Sequence, residues 1–367
     1  MELTSISILE CPGITDLALF LKVRKELGRW RSKLSSVPWM FLGSVRRRDY
    51  DSGRPHSVKI TLGKQPIADD VAILVIFPRG GIAGSTLATL AHFARNGMAC
   101  VVVSNAPLRE EDRETLGEIT HLVIERPNAG YDFGGFREGI LTLFERGVKP
   151  RSLFVMNDSL WFPLRPDCDA LARCREAEED IFGFHLNGVA RWGLRRDYVQ
   201  SYFLRFSPRL VASADFLAFW RDMPLIDNKH LVVRRLERGL SRHFARRGYT
   251  LGALVHWRDV IDRLLALDDP DKLARIFAYQ CQLNPKEAAM LQPLLAKGWS
   301  PLRIRDALAG PIRAKRLFAS FPMMHPEFVL ELGMPALKRK LTIQYRELVR
   351  LGLDEGFEPA VRAEMRL

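Results

Sequence analysis

From residue 70 onward the chain alternates short β-branched, apolar runs with helix-forming segments, and this rhythm constrains the fold more than any other feature. Runs at 71–77, 99–104, 121–125 and 153–156 have strand length, while 85–96, 110–116 and 136–146 read as helices. Strands joined through helices need right-handed crossovers and give a mainly parallel sheet. Runs at 181–185 and 201–206 continue the set, the second alternating as an antiparallel strand would. After Pro208 the pattern turns helical over 212–220, 232–247, 271–276, 285–296 and 301–308. The expected fold is α/β: a mainly parallel sheet flanked by helices, with a helical carboxyl-terminal portion. Segments 1–65, 66–230 and 231–367 are read as a basic helical extension, the α/β core, and a mostly helical part completing the acceptor side.

Residues 14–34 carry apolar side chains at helical spacing, from Ile14, Leu17 and Leu21 to Trp30 and Leu34, with basic residues flanking them. Such a helix either lies on an anionic membrane surface or docks on the domain behind it. Val37-Pro38-Trp39-Met40 is expected to break it, and 46–55 to form a polar loop. The basic excess, 55 Lys and Arg against 43 Asp and Glu, concentrates at 21–48, 234–247 and 338–346. Nucleic acid, lipid headgroups or a phosphorylated substrate would each suit it. No helix-turn-helix, zinc-finger or RNA-recognition signature supports nucleic acid. No apolar run reaches the roughly 18–20 residues needed to span a bilayer, the start does not read as a secretory signal, and five scattered cysteines read as reduced thiols. Together these point to a cytoplasmic protein.

Two loops carry the chemistry. Asn128-Ala129-Gly130-Tyr131-Asp132-Phe133-Gly134-Gly135 allows backbone to turn close to a ligand. Asp132 caps the following helix or faces a ribose hydroxyl or base; Tyr131 and Phe133 cover a ring or belong to the core. One helix later a strand ends in Asn157-Asp158-Ser159, three oxygen-bearing side chains on one turn. They suit Mg²⁺ bridging a carboxylate to substrate phosphates, and equally an Asx-type turn. In an α/β sheet, ligands bind in the crevice at the carboxyl ends of the strands. Gly80-Gly81-Ile82-Ala83-Gly84 is not a dinucleotide fingerprint, and the next strand ends in Ser104-Asn105 without an acidic ribose ligand. No P-loop, H-E-x-x-H or G-x-S-x-G occurs.

These blocks, taken in order with Val101-Val102-Val103-Ser104-Asn105, Val199-Gln200-Ser201-Tyr202-Phe203-Leu204, Phe216-Leu217-Ala218-Phe219-Trp220, Glu237-Arg238-Gly239-Leu240-Ser241 and His325-Pro326-Glu327-Phe328, resemble the rhamnan synthesis protein F family of bacterial surface-polysaccharide assembly. The resemblance covers about residues 70–345. It implies a GT-A-like transferase that takes a nucleotide-sugar donor, with dTDP-rhamnose as the donor to try first. It also implies a lipid-linked glycan acceptor at the inner face of the plasma membrane, whose charge would explain the basic clusters. The implied donor-binding set is Asn105, Asn128, Gly130, Tyr131, Asp132, Asn157, Ser159, Gln200 and Ser201. Asp158 would hold the diphosphate, with or without a divalent cation (Mg²⁺ or Mn²⁺), since Asn157-Asp158-Ser159 departs from the two-carboxylate D-x-D motif of such folds. Arginine could replace the metal. Glu237 is the leading candidate for general base in an inverting displacement; the alternative is an ordinary surface pair with Arg238. A non-catalytic assembly factor with a degenerate transferase fold is the competing function. A hydrolase using Asp132 and Asp158 as paired carboxylates fits less well.

Overall fold

The structure, a computed structural model, describes residues 36–78, 80–191, 194–228, 231–339 and 342–365; the helix expected over 14–34 lies outside them. Its strands are β1 (Lys59–Leu62), β2 (Asp70–Ile76), β3 (Met98–Ser104), β4 (Leu122–Glu125), β5 (Ser152–Asn157) and β6 (Leu160–Trp161), then β7 (Ile181–Arg191), β8 (Leu194–Val199), β9 (Phe203–Phe206), β10 (Leu251–His256) and β11 (Leu337–Lys338). One sheet runs in the order β1-β4-β3-β2-β5-β9-β7-β10, with β8 hairpinned onto β7; β6 and β11 form a small second sheet. β4, β3, β2 and β5 are mutually parallel, as are β7 and β10. β9 runs antiparallel between β5 and β7, so both parallel groups end on the same edge. This is the α/β arrangement expected from the sequence, an open sheet with one reversed strand inside it.

The alternation within β2 shows why both faces are covered. Val71, Ile73 and Val75 pack into one apolar layer with helices Tyr131–Glu145, Ala214–Asp222 and Arg238–Ala245. Ala72, Leu74 and Ile76 pack into the other, with Gly84–Arg95 and the carboxyl-terminal helices. Successive strand residues face opposite sides, and a parallel sheet must bury both.

Three local expectations change. Residues 46–55 are not a loop but part of the helix Ser36–Ser57. From Arg46 on it carries few apolar side chains and docks through ions: Arg54 Nε on Glu138 (2.7 Å), Arg137 on Asp51 (2.6 Å) and Tyr50 Oη on Glu138 (2.7 Å). The helix expected to start at 136 starts at Tyr131, because Gly134 and Gly135 lie inside it rather than in a turn. A Cβ at Gly135 would stand 2.6 Å from Val75 Cγ1, so this glycine is what lets the helix press on β2. Finally, the region read as helical after Pro208 contains β10, paired with β7. The sheet thus draws strands from all three segments delineated on the sequence.

Candidate active site

At the carboxyl edge, β5 ends in Asn157 and turns through Asp158-Ser159 into β6. The turn is wired to its neighbours. Asp158 donates its N–H to Val75 O (3.0 Å), and its Oδ2 accepts the N–H of Phe77 (2.9 Å), closing β5 onto the end of β2. Asn157 Nδ2 donates to Asp132 Oδ2 (2.8 Å), while Asn157 Oδ1 accepts from Ser159 N (3.1 Å) and Ser159 Oγ (2.5 Å). Asp132 therefore sits in the first turn of its helix, where a carboxylate suits the positive end of the dipole, and one amide joins it to the strand-end turn.

The loop after β4 is built around Arg126, which is 3% exposed. Its guanidinium donates to Asn105 Oδ1 (2.6 Å), Ala129 O (2.5 Å) and Tyr50 Oη (2.9 Å). Asn105 Nδ2 reaches Tyr131 O (3.4 Å), and Gly130 N donates to Asp227 Oδ1 (2.7 Å). Gly130 (φ 76°) and Tyr131 (φ 51°) are both left-handed, a conformation ordinary for glycine and strained for tyrosine. The side chain of Tyr131 is exposed, as is Phe77, whereas Phe133 is core. Asn128 stands exposed on the rim of this loop.

On the other side of β5, Ser201 Oγ donates to Glu237 Oε2 (2.7 Å). Glu237 closes a π-helical turn, Val232–Glu237, ahead of the helix Arg238–Ala245. Such turns recur at functional sites. Burial pushes its carboxyl pKa up, against the Ser201 hydrogen bonds and the nearby charges of Lys338 and Arg238, and the net is above the ordinary glutamate value. Glu237 is therefore no simple surface pair. Tyr202 is buried with its hydroxyl unpartnered, and Tyr202 O accepts from Asn157 N (3.2 Å), joining the two halves of the edge. Gln200 is one residue off this line; its N–H donates to His185 O (3.0 Å) and its side chain lies beside Tyr198.

The structure thus brings Asn105, Gly130, Tyr131, Asp132, Asn157, Asp158, Ser159, Ser201 and Glu237 to one edge, with Gln200 and Asn128 at its margins. Sequence reasoning missed Arg126 and Lys338. Lys338 Nζ lies 3.4 Å from Ser159 Oγ and 4.8 Å from the centre of the Tyr202 ring. The basic cluster at 338–346 was the only signal for it. Among the described residues no three His, Cys, Asp or Glu side chains converge to hold a metal. Asp158 Oδ2 is engaged by Phe77 N and Asp132 Oδ2 by Asn157 Nδ2, and an ammonium group stands beside the same turn. That donor set does not fit a divalent cation held by protein ligands.

An open α/β sheet with polar side chains gathered at its carboxyl edge, among them a desolvated carboxylate, defines the class as an α/β protein. The chain belongs to the rhamnan synthesis protein F family, whose model matches residues 100–281. It is 32% identical to an uncharacterized protein, y4gN, of Sinorhizobium fredii (strain NBRC 101917 / NGR234), over 94% of this chain and 91% of that one. Among solved structures it is similar to a mannosyltransferase, PcManGT, of Pyrobaculum calidifontis, in complex with GDP-Man and Mn²⁺ (12% identity, 90% of this chain and 87% of that chain, TM-score 0.30). A second is a protein of Desulfovibrio desulfuricans G20 provisionally described as a nucleotide-diphospho-sugar transferase (12% identity, 52% of this chain and 81% of that chain, TM-score 0.26). At these TM-scores the two likenesses carry no weight on the site.

Proposed function

We propose that this chain is an inverting glycosyltransferase that moves a sugar, rhamnose first among the candidates, from a nucleotide-sugar to a lipid-linked surface polysaccharide. The observation that carries the reading is the pairing across one edge of a polar donor turn, Asp132-Asn157-Asp158-Ser159, with the desolvated Glu237–Ser201 pair. A raised carboxyl pKa suits a base working near neutrality. In the displacement, an acceptor hydroxyl oxygen bonds to the sugar C1 while its proton moves to Glu237. The C1–O bond to the nucleoside diphosphate breaks, and its electron pair leaves with the phosphate oxygen. Asn105 and the Gly130-Tyr131 turn would hold the nucleoside side of the donor, and Gln200 and Ser201 hydroxyls of either sugar. A divalent cation, if bound, would supply charge to the diphosphate; no step here is routed through it.

No described helix is long and apolar enough to cross a membrane. The outward side of Arg238–Ala245, with Arg242 and the following Arg246 and Arg247 exposed, supports a peripheral role at an anionic, cytoplasmic membrane face. The test is nucleotide release over a panel of nucleotide-sugars, dTDP-rhamnose first, with a lipid-linked glycan acceptor. Release by wild type should fall about a hundredfold or more in Asp158→Ala and in Glu237→Gln. Equal turnover in both variants would remove this site. The single carboxylate of Asn157-Asp158-Ser159 favours a second reading, a non-catalytic assembly factor; donor binding without turnover by wild type is its signature.

A further inference from the structure

We propose that Lys338, from the carboxyl-terminal portion of the chain, supplies the positive charge that holds the donor diphosphate and stabilises it as it departs, in the role a divalent cation would otherwise fill. This rests on the transferase reading above and adds a residue and a metal independence to it.

The position of Lys338 follows from strand geometry. β11 pairs with β6 in the register Leu337↔Trp161 and Lys338↔Leu160, immediately after the Asp158-Ser159 turn. Alternate residues of a strand face opposite sides. Leu337 is 1% exposed within the apolar layer, so Lys338 is turned the other way. There its ammonium meets Ser159 Oγ (3.4 Å), the face of the Tyr202 ring (4.8 Å) and the field of Glu237. Lys338 thus stands between the donor turn and the carboxylate across from it.

The backbone around it is fixed. Arg339 N donates to Ser159 O (2.9 Å), and the Arg339 guanidinium spans Asp158 O (3.3 Å) and Glu364 Oε2 (2.8 Å). Arg339 is tied to a carboxylate and braces the turn. Lys338 stands on the same turn through Ser159 Oγ and over the ring of Tyr202, a buried residue whose hydroxyl has no partner. An ammonium that is already ordered, beside a ring and a hydroxyl, is a ready phosphate partner. A cation entering next to Asp158 would find Asp158 Oδ2 and Asp132 Oδ2 already bonded to Phe77 N and Asn157 Nδ2, and the Lys338 charge against it. A diphosphate there meets the opposite balance. As the C1–O bond breaks, negative charge grows on the leaving oxygen, and a fixed ammonium stabilises that charge without itself losing a proton.

The experiment is calorimetric titration of the full chain with dTDP, UDP and GDP, and with the matching nucleosides, in EDTA and in Mg²⁺. At least one nucleoside diphosphate should bind wild type with an affinity that EDTA changes by no more than about twofold. Lys338→Met should weaken it about tenfold or more, and Lys338→Arg should retain most of it. The nucleoside alone should bind Lys338→Met and wild type equally, a readout that general damage to the fold would not leave intact. Diphosphate binding that EDTA abolishes, or that Lys338→Met leaves unchanged, overturns the proposal; the EDTA arm needs no variant to fold. If wild type, folded by its thermal transition, binds none of the three in either buffer, the transferase reading falls and this inference with it.

Discussion

Glu237 shows how one residue can weigh against the fold and still be placed for chemistry. Burial raises its pKa above the 4.5 of an ordinary glutamate, although the Ser201 hydrogen bonds, Lys338 and Arg238 lower it. Folding therefore favours the protonated form. The stability this gives is present below the unfolded pKa and is lost as pH rises through the folded one. At neutral pH the ionised carboxylate is a cost, and Glu237→Gln removes it while keeping an acceptor for Ser201 Oγ. The variant should melt higher than wild type at pH 7, by a margin that narrows towards pH 4.5, while turnover falls about a hundredfold or more. A lower melting temperature at pH 7 would mean that the carboxylate is bound more favourably than its burial suggests. Lys338 belongs to the same small balance, since its charge is among those holding Glu237 down.

At the scale of elements, the contact between helix Tyr131–Glu145 and β2 depends on glycine. A methyl at Gly135 would meet Val75 Cγ1 at 2.6 Å and Cγ2 at 2.8 Å, and neither β-branched valine nor a central strand can yield easily. Gly135→Ala should lower stability by about 1–3 kcal/mol in urea unfolding, and a neutral result would show that the helix can lift off the sheet. A second device joins β7, β9 and β10. Asp180 precedes β7 and is 2% exposed. It accepts from Ser207 Oγ (2.8 Å), Arg209 Nε (2.9 Å) and Thr250 N (2.9 Å), from the segments flanking β9 and β10. Burial raises its pKa, but Arg209, Thr250 and Ser207 outweigh that and hold it down to about 2 from 3.8. Its contribution is present above pH 4 and is lost as pH falls through about 2; Asp180→Asn should cost about 2 kcal/mol at pH 7 and remove that acid-dependent part. The central strands were legible because burial on both faces makes them continuous β-branched runs. β10, Leu-Gly-Ala-Leu-Val-His, was not: its glycine and alanine are poor strand formers, and pairing with β7 decides it. Residues 46–55 of helix Ser36–Ser57 were misread for the opposite reason, since they dock by ion pairs and show no apolar stripe. The site divides the same way. Asp132, Asn157, Asp158 and Ser159 stand in short local motifs, whereas Arg126 and Lys338 gain their roles from partners far away in the chain, which spacing cannot reveal.

For the whole molecule, the end of the described chain returns to the first crossover and sets the site from behind. Glu364, in helix Pro359–Met365, accepts from Ser85 N (2.8 Å), Ser85 Oγ (2.9 Å), Trp161 Nε1 (2.9 Å) and Arg339 (2.8 Å). One carboxylate thus gathers the helix after β2, strand β6 and the residue after Lys338. Burial raises its pKa, but the Ser85, Trp161 and Arg339 hydrogen bonds prevail and the net is a lowered value, so its stabilisation weakens as pH falls below the ordinary glutamate range. Glu364→Ala would leave the Arg339 guanidinium and the Trp161 indole without their acceptor, groups that are largely buried. A loss of about 2–4 kcal/mol is expected from stranding them. The consequence for function is separable from that loss. Released from Glu364, Arg339 no longer braces Asp158 O, and the Lys338–Ser159 contact loosens with it. At a temperature where the variant is still fully folded, nucleoside diphosphate affinity should fall about threefold to tenfold, while affinity for the nucleoside stays level. Loss of both in the same proportion would mean that helix Pro359–Met365 only holds the fold together, and that the donor turn is set by β5 and β6 alone.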